Sequence, residues 1–157
     1  MADLKYVTYC GLYCKLCSKN GRMPQLAKAM QDTMKKDHRF IQNALKEDNL
    51  DSLPQGFKEL WLWLDSQANP GDPHCRGGCG GPDCIIRQCA KEKGYEICTY
   101  CDDYPCDHMH WLIENDPSVV TDGKMLKKMG VDAWIEEQEQ RCQRGVCYSD
   151  IRYDPID

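Results

Sequence analysis

No stretch of this 157-residue chain approaches the roughly 20 consecutive apolar residues that cross a bilayer. The chain opens Met1-Ala2-Asp3-Leu4-Lys5 with no apolar leader run, which predicts a protein kept in a reducing, cytoplasmic setting. Positive charge is also scarce: 20 lysines and arginines face 25 acidic residues, for a formal net charge of −5. General binders of nucleic acid or anionic membrane need a basic face to displace counterions, and this balance argues against both. Several catalytic signatures are missing as well, namely HExxH, G-x-S-x-G and the H-x-E with P-C-x-x-C of zinc deaminases. The glycines lack the lysine and hydroxyl of a phosphate loop. There is no internal repeat at fixed period and no low-complexity segment.

Cysteine is what the chain has in abundance, with twelve. A disulfide scaffold belongs to short secreted chains, so these cysteines read as reduced and metal-bound. At 41% apolar residues the chain can bury a core of its own, and metal then supplements that core. The expectation is one domain over residues 1–157, mainly α with little or no β, in which a helical scaffold holds cysteine-rich loops.

The helices follow from periodicity. After Pro24, the residues Leu26, Ala27, Met30 and Met34 recur at three- and four-residue steps. A second run passes through Ile41, Ala44 and Leu45. A third places Phe57, Leu60, Trp61 and Leu64 on one face and ends before Asn69-Pro70-Gly71-Asp72-Pro73. A short helix is expected from Asp83, which caps it, to Lys93, with Gly94 as its left-handed terminator. Further helices run through His108, Trp111, Leu112 and Ile113, through Leu126 and Met129, and from Val131 through Trp134 and Ile135 towards Gly145. Only Leu4–Tyr9 reads as extended, and 148–157 reads as a loosely held tail.

The candidate ligands are Cys10, Cys14, Cys17, Cys75, Cys79, Cys84, Cys89, Cys98, Cys101 and Cys106. Thiolates bind zinc or iron at about 2.3 Å, so ligands close in sequence sit on tight turns, as Cys14-x2-Cys17 and Cys98-x2-Cys101 allow. Glycine directly after a ligand, in Cys10-Gly11 and Cys79-Gly80, lets the backbone turn sharply and aim amides at sulfur. The two C-x2-C pairs are about eighty residues apart, far beyond a simple finger, so any site is assembled from distant segments. On a regular helix Cys84 and Cys89 point about 140° apart and serve different sites, unless Cys84 sits in a distorted first turn. Cys142 and Cys147 are either ligands or small buried hydrophobes. His74, His108 and His110 are each either a fourth ligand or a polar capping or surface residue.

Zinc in structural cysteine sites, in an interaction or regulatory module for a protein or small-molecule partner, is the leading expectation, and no catalytic residue is assigned. The alternative is an iron–sulfur enzyme or redox protein. Cys10-x3-Cys14-x2-Cys17 has spacing similar to the [4Fe-4S] motif of radical S-adenosylmethionine enzymes, and Tyr9 and Tyr13 would shield such a cluster or position a small substrate. Leu16 replaces that family's aromatic, and no alternation of strands and helices supports its barrel. A third reading pairs Cys106 with His108 as a thiol nucleophile or sensor.

Tyr9-Cys10-Gly11-Leu12-Tyr13-Cys14 with Cys17, then Cys75, Cys79, Cys84 and Cys89, then Cys98-Thr-Tyr-Cys101 with Pro105-Cys106, and finally Met129-Gly130-Val131 with Trp134, resemble one family. It is the cysteine-rich prokaryotic family known as domain of unknown function 3795. The resemblance runs from residue 9 to about 147, and one departure is Lys15, where small residues are familiar. What it implies is a prokaryotic cytosolic protein that binds zinc or an iron–sulfur cluster, with no activity to carry over.

Overall fold

Fifty residues without a cysteine, Arg22–Gly71, form one compact unit, and the flanking segments up to Gly21 and from Asp72 form a second. The computed structural model describes residues 3–153. Among these are eight α-helices, five three-residue 3-10 turns and no strand, the mainly α class that the periodicity predicts.

In the cysteine-free unit, α1 (Arg22–Asp37) and α2 (Arg39–Lys46) precede α3 (Gln55–Ala68). Ala27, Met34, Ile41, Ala44, Leu53, Trp61 and Leu64 form its core. The inward face of α1 is narrower than the predicted stripe. Ala27, Gln31 and Met34 are buried at spacings of four and three, whereas Leu26 and Met30 are exposed. Gln31 tolerates this burial because its Nε2 donates to Asp65 Oδ1 at 3.3 Å. Trp61 and Leu64 carry the inward face of α3, with Phe57 displaced to its edge. Each such buried side chain contributes about 1.5–3 kcal/mol relative to exposure.

The second unit holds α4 (Ile85–Glu92), α5 (His110–Asn115), α6 (Ser118–Met129), α7 (Val131–Gln143) and α8 (Tyr148–Tyr153). Its apolar side chains form two clusters. Val7, Tyr13, Leu16, Ile97, Leu126, Trp134 and Tyr148 make the first. Ile86, Met109 and Val119 make the second, with Cys10, Cys84, Cys98 and Cys106 packed against them.

Gly94 ends α4 as expected, at φ +74°, with Tyr95 N–H donating to Ala90 O and Gly94 N–H to Lys91 O. Gly145 ends α7 through the same pair of bonds, from Val146 to Arg141 and from Gly145 to Cys142. Two expectations are corrected. Cys84, not Asp83, occupies the cap position of α4, with no side-chain cap, so the helix starts later than the sequence suggests. Leu4–Tyr9 is not an extended run: Val7 N–H folds back to Leu4 O, and Val7 contributes only an isolated bridge to Tyr13.

Residues 148–157 read as a loose tail, yet Tyr148 is 2% exposed. Its hydroxyl accepts the Tyr13 N–H at 2.9 Å and donates to Asp122 Oδ2 at 2.7 Å. Asp122 also pairs with Arg141 at 2.9 Å. These bonds give the start of α8 a fixed place against the N-terminal segment; residues 154–157 lie outside the described residues.

Candidate thiolate centres

All ten candidate cysteines fall in the second unit, where the fold divides them into two sets. Cys10, Cys14, Cys17, Cys75, Cys79 and Cys84 line one cavity of about 450 Å³. Cys89, Cys98, Cys101 and Cys106 line another of about 20 Å³. Cys84 and Cys89 therefore face different cavities, as their helical spacing predicts, with Cys84 at the cap of α4 and Cys89 inside it.

The two C-x2-C segments adopt the same local conformation. In each, the first cysteine opens a 3-10 turn, Cys14–Leu16 or Cys98–Tyr100, and the second is its extended C-cap. Cys17 N–H donates to Cys14 O at 3.1 Å, and Cys101 N–H to Cys98 O at 2.9 Å. A buried residue precedes each turn, Tyr13 in one case and Ile97 in the other, and anchors it to the first apolar cluster. Gly11 and Gly80, each after a cysteine, have φ of +94° and +88°, a conformation that side-chain-bearing residues rarely adopt.

The large cavity joins segments far apart in sequence. Arg76 makes the connection: its Nε donates to the carbonyls of Leu4 and Val7 at 2.8 and 2.9 Å, and its guanidinium lies over the Tyr9 ring. Cys75 is thereby held beside the N-terminal triad, and Cys75 N–H donates to Cys14 Sγ at 3.3 Å. Thr8 Oγ1 lies 3.0 Å from Cys10 Sγ and accepts the Leu12 N–H. Leu12, Pro73, Pro82, Ile86 and Leu112 give the cavity apolar walls, and the half-exposed Trp111 borders it.

Arg87 is the residue that sequence reasoning missed. It sits in the first turn of α4, is 9% exposed, and lines the large cavity. Its Nη2 donates to Cys79 O at 2.7 Å and lies 3.9 Å from Cys75 Sγ, while its Nε has no partner. The available signal was its position three residues after Cys84, on the same side of a helix whose neighbours Ile86 and Ala90 are apolar.

Burial governs the thiols. It pushes Cys10 up to about 11, and Cys14 and Cys98 up to about 12, and neighbouring cysteines add to the shift. Without a cation these groups are neutral at pH 7 and poor nucleophiles. A bound metal reverses that preference, since coordination deprotonates a thiol outright. No three His, Cys, Asp or Glu side chains among the described residues are drawn up to a single ion position.

The histidines stand apart from both cavities. His74 Nδ1 accepts the Gly77 N–H at 2.9 Å and so caps the turn that begins at Cys75. His110 pairs with Glu114 at 3.2 Å, and His108 is exposed with no hydrogen bond to Cys106 among the described residues. Cys142 packs against the first apolar cluster, and Cys147 is buried with Ser149 Oγ 3.1 Å from its sulfur. Neither lines either of these two cavities. Every cysteine is a free thiol.

No curated protein and no solved structure matches the chain. A family model does match, over a span that includes all ten candidate cysteines and stops short of Met129-Gly130-Val131 and Trp134. That model, described as Protein of unknown function (DUF3795), covers residues 6–111, well over half of the chain, and the protein belongs to that family.

Proposed function

We propose that this chain is a cytoplasmic metal-binding protein whose four-cysteine centre, Cys89, Cys98, Cys101 and Cys106, takes zinc in a structural or interaction role. The observation that carries this reading is that these four side chains line one enclosure of about 20 Å³, close to the space of a single small ligand. Four thiolates are the donor set that closed structural zinc sites use, which leaves no open position for catalysis. Zinc would draw the four sulfurs inward onto bonds of about 2.3 Å. The Cys98–Tyr100 turn and the start of α5 would then be fixed by a crosslink in place of a larger apolar core.

Elemental analysis of anaerobically purified protein tests it. About one zinc per chain is expected, lost when Cys98 and Cys101 are both replaced by serine. Less than one equivalent of any metal would remove the reading.

A second reading, an iron–sulfur enzyme or redox protein using Cys10, Cys14 and Cys17, is favoured by one observation. That triad opens onto the cavity of about 450 Å³, far larger than one ion needs. Anaerobic protein from iron-sufficient cells should then be brown, with absorption near about 400 nm.

A further inference from the structure

We infer that the large cavity is a site for a polynuclear iron–sulfide cluster held by both cysteine sets that border it, Cys10, Cys14 and Cys17 with Cys75, Cys79 and Cys84, and that Arg87 supplies its counter-charge. This rests on the second reading above and deepens it.

The number of donors comes first. A tetrahedral ion takes four ligands, and six cysteines line this cavity. Their side chains are not drawn up to one ion position, and the cavity they border with other residues holds about 450 Å³. A single ion at about 2.3 Å from each sulfur would leave most of that space empty. Several metals bridged by sulfide span the distance between separate thiolates and use the room. Iron–sulfur clusters are held by cysteine thiolates, which is the donor chemistry present.

The second observation is Arg87. A guanidinium that is nine-tenths buried without a carboxylate partner needs an anion near it, because an uncompensated buried charge is strongly unfavourable. No ion pair to an acidic side chain is formed by it among the described residues, and its buried Nε has no hydrogen-bond partner. A metal cluster ligated by thiolates is net anionic and satisfies both needs. Around it, the Cys75 N–H and the Thr8 hydroxyl already lie against sulfur, the kind of outer contact that orients ligands and tunes a metal centre.

The test is anaerobic reconstitution of the full chain with ferrous iron and sulfide, reading iron, acid-labile sulfide and zinc separately. More than one iron per chain is expected, with labile sulfide in equal amount. Both should fall at least severalfold in Cys14→Ser and, independently, in Cys75→Ser and Cys84→Ser, while zinc held through Cys98 and Cys101 is retained and reports that the unit is folded. Absence of labile sulfide, or iron unchanged in both Cys75→Ser and Cys84→Ser, overturns the proposal. Loss of zinc alone, in the Cys98→Ser and Cys101→Ser double variant, with iron unchanged, separates this site from the first centre. Arg87→Gln gives a milder probe: the midpoint potential should become more negative, since a nearby cation stabilises the reduced, more anionic cluster. An unmoved potential removes Arg87 from the site.

Discussion

Residues 22–71 and the cysteine-bearing unit reach order by different routes. The first packs seven buried side chains from α1, α2, α3 and the turn before α3 into one cluster, with no cysteine among them. The second carries longer irregular segments, divides its apolar residues between two clusters, and surrounds two cavities with thiols. In the first, helical periodicity suffices. In the second, short turns bring cysteines together beside the apolar clusters, and under the proposed zinc reading its stability would be tied to the metal.

Metal removal should expose this contrast most strongly. Chelation of the zinc-loaded protein is expected to destabilise the cysteine-bearing unit by on the order of several kcal/mol. Hydrogen exchange should quicken in α4 and in the Cys98–Tyr100 turn while α1 and α3 keep their protection. Equal loss of protection in both units would erase the distinction. The converse substitution, Trp61→Ala, is expected to cost the cysteine-free unit about 3–5 kcal/mol by leaving a core cavity, with bound metal per chain unchanged. Denaturant titration alongside metal analysis checks both halves of that statement.

Two helical glycines sharpen the comparison further, with opposite signs. Gly123 in α6 has no room for a methyl group: an added Cβ would run into the Tyr104 hydroxyl and come within 2.9 Å of Thr99 Cγ2. Gly123→Ala should therefore destabilise by about 1–3 kcal/mol despite alanine's better helix propensity. Gly56 in α3 has nothing within 4 Å of that position, so Gly56→Ala should stabilise by about 0.5 kcal/mol. Thermal melts of the two variants decide it, and equal signs would show that the units are packed alike around their glycines.

The smallest expected effect is electrostatic. Burial raises Asp122 above its ordinary value, although the Tyr148 hydroxyl and Arg141 pull it down. The native state then binds that proton more readily than the unfolded chain, so this group's contribution falls as pH rises from about 4 to its raised native value. Acidification through that window relieves the cost. Asp122→Asn should make the stability slope there more positive, by a fraction of about 1.4 kcal/mol per pH unit. A slope that does not move would mean Asp122 titrates alike in both states.

Much of the scaffold was legible because its signals are local. Trp61 and Leu64 repeat at helical spacing and are buried, and the glycine terminators at 94 and 145 act within one turn of their helices. The divergence of Cys84 and Cys89 was legible for the same reason, being a matter of angle along one helix. The partition of the central seven cysteines was not. Cys75, Cys79 and Cys84 join the N-terminal triad because Arg76 reaches the carbonyls of Leu4 and Val7, a contact across about seventy residues that no spacing rule encodes. Arg87 was passed over because an arginine on a short helix reads as a solvated charge until its burial is known. Leu26 and Met30 misled in the other direction, since apolar residues at the right steps can still flank the stripe that is buried.

The hydroxyl of Tyr148 also sets an order of assembly. Tyr13, at the root of the Cys14 turn, gives its N–H to a residue 135 positions later. Chains leave the ribosome from their N-terminus at about 5–20 residues per second. The six-cysteine cavity thus lacks its full support until α8 has emerged, although Cys89, Cys98, Cys101 and Cys106 lie in one continuous stretch. The smaller set is braced late as well, since Ile97, before Cys98, packs in the cluster that holds Trp134 and Tyr148.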